Sequence, residues 1–195
     1  MKLPYTPRHI NVTDCEGYPV SVHSLVRRLC LATVPAGLLW LAASLPAQAE
    51  DPDFIAFSGA YFDVNHRRHD AFEGRVEYRS GHRFWLVKPF VGVMATSEGA
   101  GYGYAGILMD LYFGRRIVVT PSFAPGVYLH GSGENLGFPL EFRSQIEVSY
   151  RFDDRSRLGV SFSHMSNASL GDHNQGVESL AVTYAVPLYK IFGGL

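Results

Sequence analysis

The feature that most constrains this chain is a two-residue alternation of apolar and polar side chains. Residues 142–152 show it clearly, because one face carries Phe142, Ser144, Ile146, Val148, Tyr150 and Phe152. The opposite face carries Arg143, Gln145, Glu147, Ser149 and Arg151. A period of two places successive side chains on opposite faces of a β-strand. After residue 50 we find no convincing 3.6-residue period, so the pattern predicts an all-β fold.

Eight such segments follow one another, at residues 53–64, 70–79, 85–95, 103–113, 117–129, 142–152, 157–166 and 177–188. Most have about the 9–11 residues that a tilted strand needs to cross a bilayer. Each has one apolar face and one face with polar or charged side chains, which is typical of a membrane barrel with an apolar outside. The sequence therefore predicts an eight-stranded antiparallel transmembrane β-barrel. A soluble barrel such as a lipocalin, with the apolar face as its core, is the alternative.

The connections between these segments favour the membrane barrel. Outer-membrane barrels alternate long external loops with short periplasmic turns. Residues 65–69, 96–102, 130–141 and 167–176 form the first set, and residues 114–116 and 153–156 are short members of the second. Residues 80–84, also in the second set, are of intermediate length.

Nucleic-acid binding and dinucleotide binding are both disfavoured by the sequence. The net charge of −1 gives no broad positive field for nucleic acid. Residues 101–106 match the pattern G-x-G-x-x-G, but a dinucleotide site needs a helix after it. An alternating segment follows instead, so we interpret residues 101–106 as a flexible loop.

The first 49 residues have the pattern of an export signal. An uncharged apolar run at residues 29–45 follows Arg27 and Arg28, and small residues at Ala47 and Ala49 fit a signal-peptidase site. We expect residues 1–49 to be a cleaved signal peptide with an upstream extension, and residues 50–195 to form a single barrel domain. A transmembrane anchor is the alternative, since 17 residues is close to the shortest span. Both cysteines lie in the removed part, which excludes thiol chemistry from the mature chain.

Three polar residues interrupt the apolar face near the end of the chain. His164 and Ser166 lie in line with Phe162, and Glu178 lies in line with Leu180 on the next strand. A basic residue on a lipid-facing wall costs about 2–4 kcal/mol at mid-membrane but only about 0–1 at the interface. The topology places these residues at the outer rim, where neighbouring antiparallel strands bring them side by side.

A serine, a histidine and a carboxylate are the components of a hydrolytic triad. Asn167 or Asn174 is a candidate donor to an oxyanion. The alternative is that these are interfacial polar residues of a non-catalytic barrel.

His164-x-Ser166-Asn167, followed by Asn174 and Glu178, resembles the outer-membrane lipid A 3-O-deacylases of the PagL type. The resemblance implies an esterase in the bacterial outer membrane that removes the 3-hydroxyacyl chain at position 3 of lipid A. It assigns the triad to Ser166, His164 and Glu178. It also makes Asn174 the oxyanion donor, with Asn167 in support.

This scheme needs no metal and no organic cofactor, and its partner is lipid A or lipopolysaccharide in the outer leaflet. A homodimer is left open. A non-catalytic barrel, as an adhesin or structural protein, and a soluble periplasmic lipid-binding barrel are the other classes to be tested.

Overall fold

Nine β-strands and one short helix form the described part of the chain in the computed structural model, which covers residues 51–64 and 71–193. The strands are β1 (Phe54–Phe62), β2 (Ala71–Arg79), β3 (Lys88–Thr96), β4 (Gly101–Leu108), β5 (Leu111–Phe113), β6 (Ile117–Leu129), β7 (Leu140–Arg151), β8 (Arg157–Ser166) and β9 (Val177–Pro187). The helix α1 (Leu188–Phe192) follows β9 directly.

Antiparallel pairing closes these strands into a barrel. Each strand pairs with its neighbour in sequence except β4 and β5, which both pair with β6, and β1 also pairs with β9. The two short strands share one register and are interrupted at residues 109 and 110, where Met109 N–H donates to the Pro121 carbonyl at 3.0 Å. Pro121 has no N–H with which to return that bond. β4 and β5 therefore make one wall strand, and the predicted eight-stranded antiparallel barrel is confirmed.

The inward face carries hydrogen-bonded ion pairs beside a buried cluster of apolar and aromatic side chains. Arg79 donates to both carboxylate oxygens of Glu147, at 3.2 and 2.8 Å, and to Glu77 at 2.9 Å. Glu77 also accepts from Arg143 at 2.6 Å and from the hydroxyl of Tyr104 at 2.7 Å. Buried charge is tolerated only when it is paired and hydrogen-bonded, and these groups satisfy that condition for one another.

A second ion cluster lies inside the barrel near the start of β1. Lys88 donates to Asp51 at 2.7 Å and to Asp110 at 2.8 Å, and Arg157 pairs with the same two carboxylates. Burial alone would raise the pKa of Asp51, but the charges of Arg157 and Lys88 outweigh it and hold that pKa below its usual range.

The outward face is apolar and exposed. Phe72 is 76% exposed, and Val93 and Val160 are more than half exposed. Together with the charged interior, this orientation is opposite to that of a lipocalin-like soluble barrel. The apolar faces predicted from the sequence therefore face outward, as a membrane barrel requires.

Two details differ from the sequence predictions. β3 begins at Lys88 rather than at residue 85, because Phe84 and Val87 exchange backbone hydrogen bonds in a separate tight turn. The flexible-loop interpretation of residues 101–106 is wrong, since they belong to β4. Tyr102 and Tyr104 are buried there, with stacked rings whose centroids are 4.8 Å apart.

The connections define two ends of the barrel. The inner end carries residues 80–87, 114–116 and 152–156 together with the start of β1 and the end of β9. The outer end carries the connection between β1 and β2 and residues 97–100, 130–139 and 167–176. Length does not alternate strictly, because 80–87 is longer than 97–100.

The predicted signal peptide and its upstream extension lie outside the described residues. Within residues 51–64 and 71–193, no helix is long and apolar enough to cross a membrane.

Candidate active site

Polar side chains replace apolar ones where the outward faces of β8 and β9 reach the outer end. Val160 and Phe162 on β8 are about half exposed, and the next residues on that face are His164 and Ser166. On β9 the outward face continues from Leu180 to Glu178. The site thus lies on the outside of the wall, at its outer rim.

His164 and Glu178 lie directly opposite each other in the β8–β9 ladder. The imidazole Nδ1 is 3.0 Å from Oε1 of Glu178. In the arrangement in which the Glu178 carboxylate accepts this hydrogen bond, Nδ1 is the donor and Nε2 is left as an acceptor. The Glu178 side chain is 16% exposed and that of His164 is 47% exposed, so the carboxylate is sheltered while the ring remains accessible.

Ser166 lies two residues beyond His164 on the same face of β8, about 7 Å away along the strand. It is half-buried and lies opposite Phe142 of β7. Continuing the β8–β9 register by one residue beyond the Met165–Val177 pair places Gly176 opposite Ser166.

Gly176 explains how the imidazole extends toward that serine. A Cβ atom on Gly176 would lie 2.4 Å from Cε1 and 3.1 Å from Nε2 of His164. The ring therefore occupies the space that any other side chain at residue 176 would fill. Because Gly176 lies opposite Ser166 in the ladder, the ring extends to the Ser166 side of the His164–Glu178 pair.

Asn167 joins the two long loops at the outer end. Its side chain is fully buried, and Nδ2 donates to the carbonyls of Leu136 at 2.7 Å and His173 at 2.8 Å. Its Oδ1 accepts from the Ser169 N–H at 2.9 Å. Both amide hydrogens are thus engaged, so this side chain organises the loops and has no hydrogen left for an oxyanion.

Asn174 is tied to the same loop by the other end of its amide. Its Oδ1 accepts from the backbone N–H of Asn167 at 3.1 Å, and the residue is exposed. This contact uses Oδ1, so Nδ2 is the part of the amide that can donate to a ligand.

Five residues were predicted from the sequence, and all of them lie at the outer rim: His164, Ser166, Glu178, Asn167 and Asn174. Gly176 was not predicted, although the same ladder register places it beside the triad candidates. The carbonyls of Leu136 and His173 were not predicted either, because their approach depends on loop packing for which the sequence has no local signal.

The closed strands, with an apolar outside and a charged interior, define the class of protein as a transmembrane β-barrel, and its outer rim carries a serine, a histidine and a carboxylate. Residues 55–187 match the family described as Lipid A 3-O-deacylase (PagL), and the chain belongs to that family. Members of this class are located in the bacterial outer membrane, and this chain is an outer-membrane protein.

Known relatives agree with this assignment. Lipid A deacylase PagL of Pseudomonas aeruginosa is 36% identical over 117 residues, which are 60% of this chain and 60% of that protein. The crystal structure of the outer membrane enzyme PagL superposes with a TM-score of 0.57 and 18% identity, covering 69% of this chain and 99% of that one. Neisserial surface protein A matches with a TM-score of 0.53 and 11% identity, covering 72% and 100%. The structural likenesses support the fold.

Proposed function

We propose that this protein is a serine esterase that hydrolyses the ester-linked 3-hydroxyacyl chain at position 3 of lipid A. The observation that carries the proposal is the His164–Glu178 hydrogen bond on the lipid-facing wall, with Ser166 next to it on the same face. Lipid A deacylation is the activity named for the family and for the Pseudomonas relative. The acyl chains of lipid A lie in the outer leaflet, against this part of the wall.

In the first half of the reaction, Nε2 of His164 accepts the hydroxyl proton as Ser166 Oγ attacks the ester carbonyl carbon. The carbonyl oxygen becomes an oxyanion, for which Nδ2 of Asn174 is the proposed donor. The intermediate collapses with cleavage of the bond to the sugar oxygen, which takes the proton from His164. The acyl group is then an ester of Ser166.

In the second half, His164 removes a proton from water as the water oxygen attacks the acyl-enzyme carbonyl. Collapse returns the proton to Ser166 Oγ and releases the 3-hydroxy fatty acid. Glu178 holds Nδ1–H throughout, which fixes the tautomer and stabilises the imidazolium that forms in each half-reaction. The chain's own side chains supply every proton transfer in this scheme.

The supporting role belongs to Asn167. Its backbone N–H holds Oδ1 of Asn174, and its side chain fixes the loops on either side. We therefore assign Asn167 to positioning of the oxyanion donor, and Asn174 to contact with the substrate.

The test is mass spectrometry of lipid A incubated with detergent-purified protein. Wild type is expected to remove one hydroxyacyl mass, and Ser166→Ala to remove none. Ser144→Ala is the matched control, because Ser144 is an exposed serine directly opposite His164 on β7. The control is expected to retain activity.

Loss of activity in Ser144→Ala with retention in Ser166→Ala would assign the nucleophile to β7 and refute the proposed roles. Absence of deacylation by folded wild-type protein would favour the non-catalytic barrel. Covalent labelling of wild type, but not of Ser166→Ala, by a lipid-like fluorophosphonate would independently support the acyl-enzyme step.

A further inference from the structure

The turn between β2 and β3 exposes three consecutive apolar side chains at the inner end. Phe84 N–H donates to the Val87 carbonyl at 2.8 Å, and Val87 N–H donates back at 3.1 Å, which leaves a two-residue tip. Phe84 is 71% exposed, Trp85 is 96% exposed and Leu86 is 51% exposed. We call residues 84–86 the apolar tip.

The backbone of the apolar tip is strained as well as exposed. Trp85 has a φ of 62°, in the left-handed region that glycine or asparagine usually supplies in two-residue hairpins. A bulky aromatic residue there is a genuine outlier. Strain that is kept at a surface position is a reason to seek a role for the side chain outside the protein.

The tip is continuous with the lipid-facing wall. Val87, directly after it, lines an apolar depression of about 220 Å³ on the outside of the barrel, together with Ile107, Met109 and Phe123. The tip thus extends the apolar wall at the inner end of the barrel. Tryptophan is the residue most typical of the boundary between acyl chains and headgroups.

Exposed arginines lie at this end of the barrel. Arg83 precedes the tip and is exposed, and Arg115 and Arg116 are exposed in the turn between β5 and β6, where Arg116 pairs with the carboxylate of Asp153 at 2.6 Å. Exposed arginines beside an apolar tip fit a layer of anionic phosphate groups above acyl chains.

We propose that the apolar tip is an interfacial anchor that inserts into the phospholipid leaflet at the inner end of the barrel, with Arg83 at the phosphate groups of anionic lipids. The leaflet holds Trp85 at headgroup depth and fixes the height of the barrel in the membrane. This role is separate from the esterase proposal, because the tip and the triad residues lie at opposite ends.

The chain itself provides the probe. It has two tryptophans, Trp40 in the predicted signal segment and Trp85, so the difference in emission between wild type and Trp85→Phe reports residue 85 alone. The protein is reconstituted into vesicles of phosphatidylethanolamine and phosphatidylglycerol, some with lipids brominated near the headgroup and some near the chain end. Either insertion orientation presents the tip to a leaflet of the same composition.

We expect the emission of Trp85 to be blue-shifted relative to tryptophan in water. It should be quenched more by bromine near the headgroup than near the chain end, and weakly by acrylamide. Water-like emission that acrylamide quenches and brominated lipid does not would overturn the anchor. Such emission combined with shielding in whole envelopes would instead indicate a protein partner.

The role of charge is tested by Arg83→Gln. The variant is expected to lose part of the blue shift in vesicles with phosphatidylglycerol and none in vesicles of phosphatidylcholine alone. An equal effect in both lipids would refute the contact with anionic headgroups.

Discussion

Replacing Gly176 by alanine adds one methyl group at the point where the His164 ring lies closest to the backbone. The added Cβ would be 2.4 Å from Cε1, whereas 3.4 Å is an ordinary contact, so the ring has to retreat by about 1 Å. The retreat shifts Nε2 relative to Ser166 and strains the 3.0 Å bond to Glu178. A displacement of about 1 Å in a catalytic group costs about 100-fold in rate, equivalent to about 2.7 kcal/mol of transition-state stabilisation.

The assay is a time course of lipid A deacylation in detergent, followed by mass spectrometry at several substrate fractions. The loss is expected in kcat, with little change in KM, because the methyl group displaces the proposed base and leaves the lipid-facing wall intact. The histidine ¹⁵N spectrum should show a weakened Nδ1–H bond.

Gly103→Ala is the matched control, since a Cβ on that β4 residue meets nothing within 4 Å. Wild-type kcat in Gly176→Ala would refute the inference that this glycine sets the ring position. Equal losses in both variants would point to a general effect on the barrel.

Three further predictions concern the barrel and its loops. Arg79→Ala leaves the buried carboxylate of Glu147 without its arginine and should lower the free energy of unfolding by about 3–5 kcal/mol; urea titration read by gel mobility checks this, and an unchanged midpoint contradicts it. Asn167→Ala removes the donors to two loop carbonyls, and each lost hydrogen bond should cost about 1–3 kcal/mol. Limited proteolysis should therefore cut the outer loops faster while the barrel stays folded. Equal cutting rates in variant and wild type would show that Asn167 does not hold these loops together. Hydrogen bonds from Lys190, which lies in α1, and then from Ser156 lower the pKa of Asp154 to about 2. Because this pKa is lower in the folded than in the unfolded protein, the contact between Asp154 and Lys190 should persist at pH 4 and above. It should be lost as the pH falls through about 2. A carboxyl NMR titration of Asp154 with a midpoint near 3.8 would contradict this last prediction.

The barrel was predictable because apolar and polar residues alternate along its strands, and this alternation sets which face of the wall each side chain occupies. Arg143 and Glu147 alternate with Ile146 and Val148 on β7, and no other regular structure separates them onto two faces. The break between β4 and β5 was less accessible, since it arises from a missing N–H at Pro121 on the facing strand.

The start of β3 was misplaced because residues 84–87 are all apolar and look like strand. Their turn is closed by backbone hydrogen bonds that depend on Trp85 adopting a φ of 62°. Sequence preference argues against that conformation for tryptophan.

For the candidate site, the sequence supplied the residues that carry functional groups. His164 and Glu178 could be placed opposite each other because both interrupt an apolar face near a shared loop. The contributions of Gly176 and Asn167 depend on space and on backbone carbonyls, which a pattern of side-chain types does not record.

Because His164 and Ser166 lie on the outside of the wall, the substrate concentration that matters for this protein is the concentration in the membrane. A substrate reaches these groups by lateral diffusion, so the encounter rate depends on its mole fraction in the surrounding lipid rather than on its molarity in water. Rates measured in mixed micelles should therefore fall when inert detergent is added at constant total substrate. In the membrane, packing between neighbouring lipopolysaccharide molecules becomes part of the kinetics, because whatever holds those molecules together also keeps them away from the barrel wall.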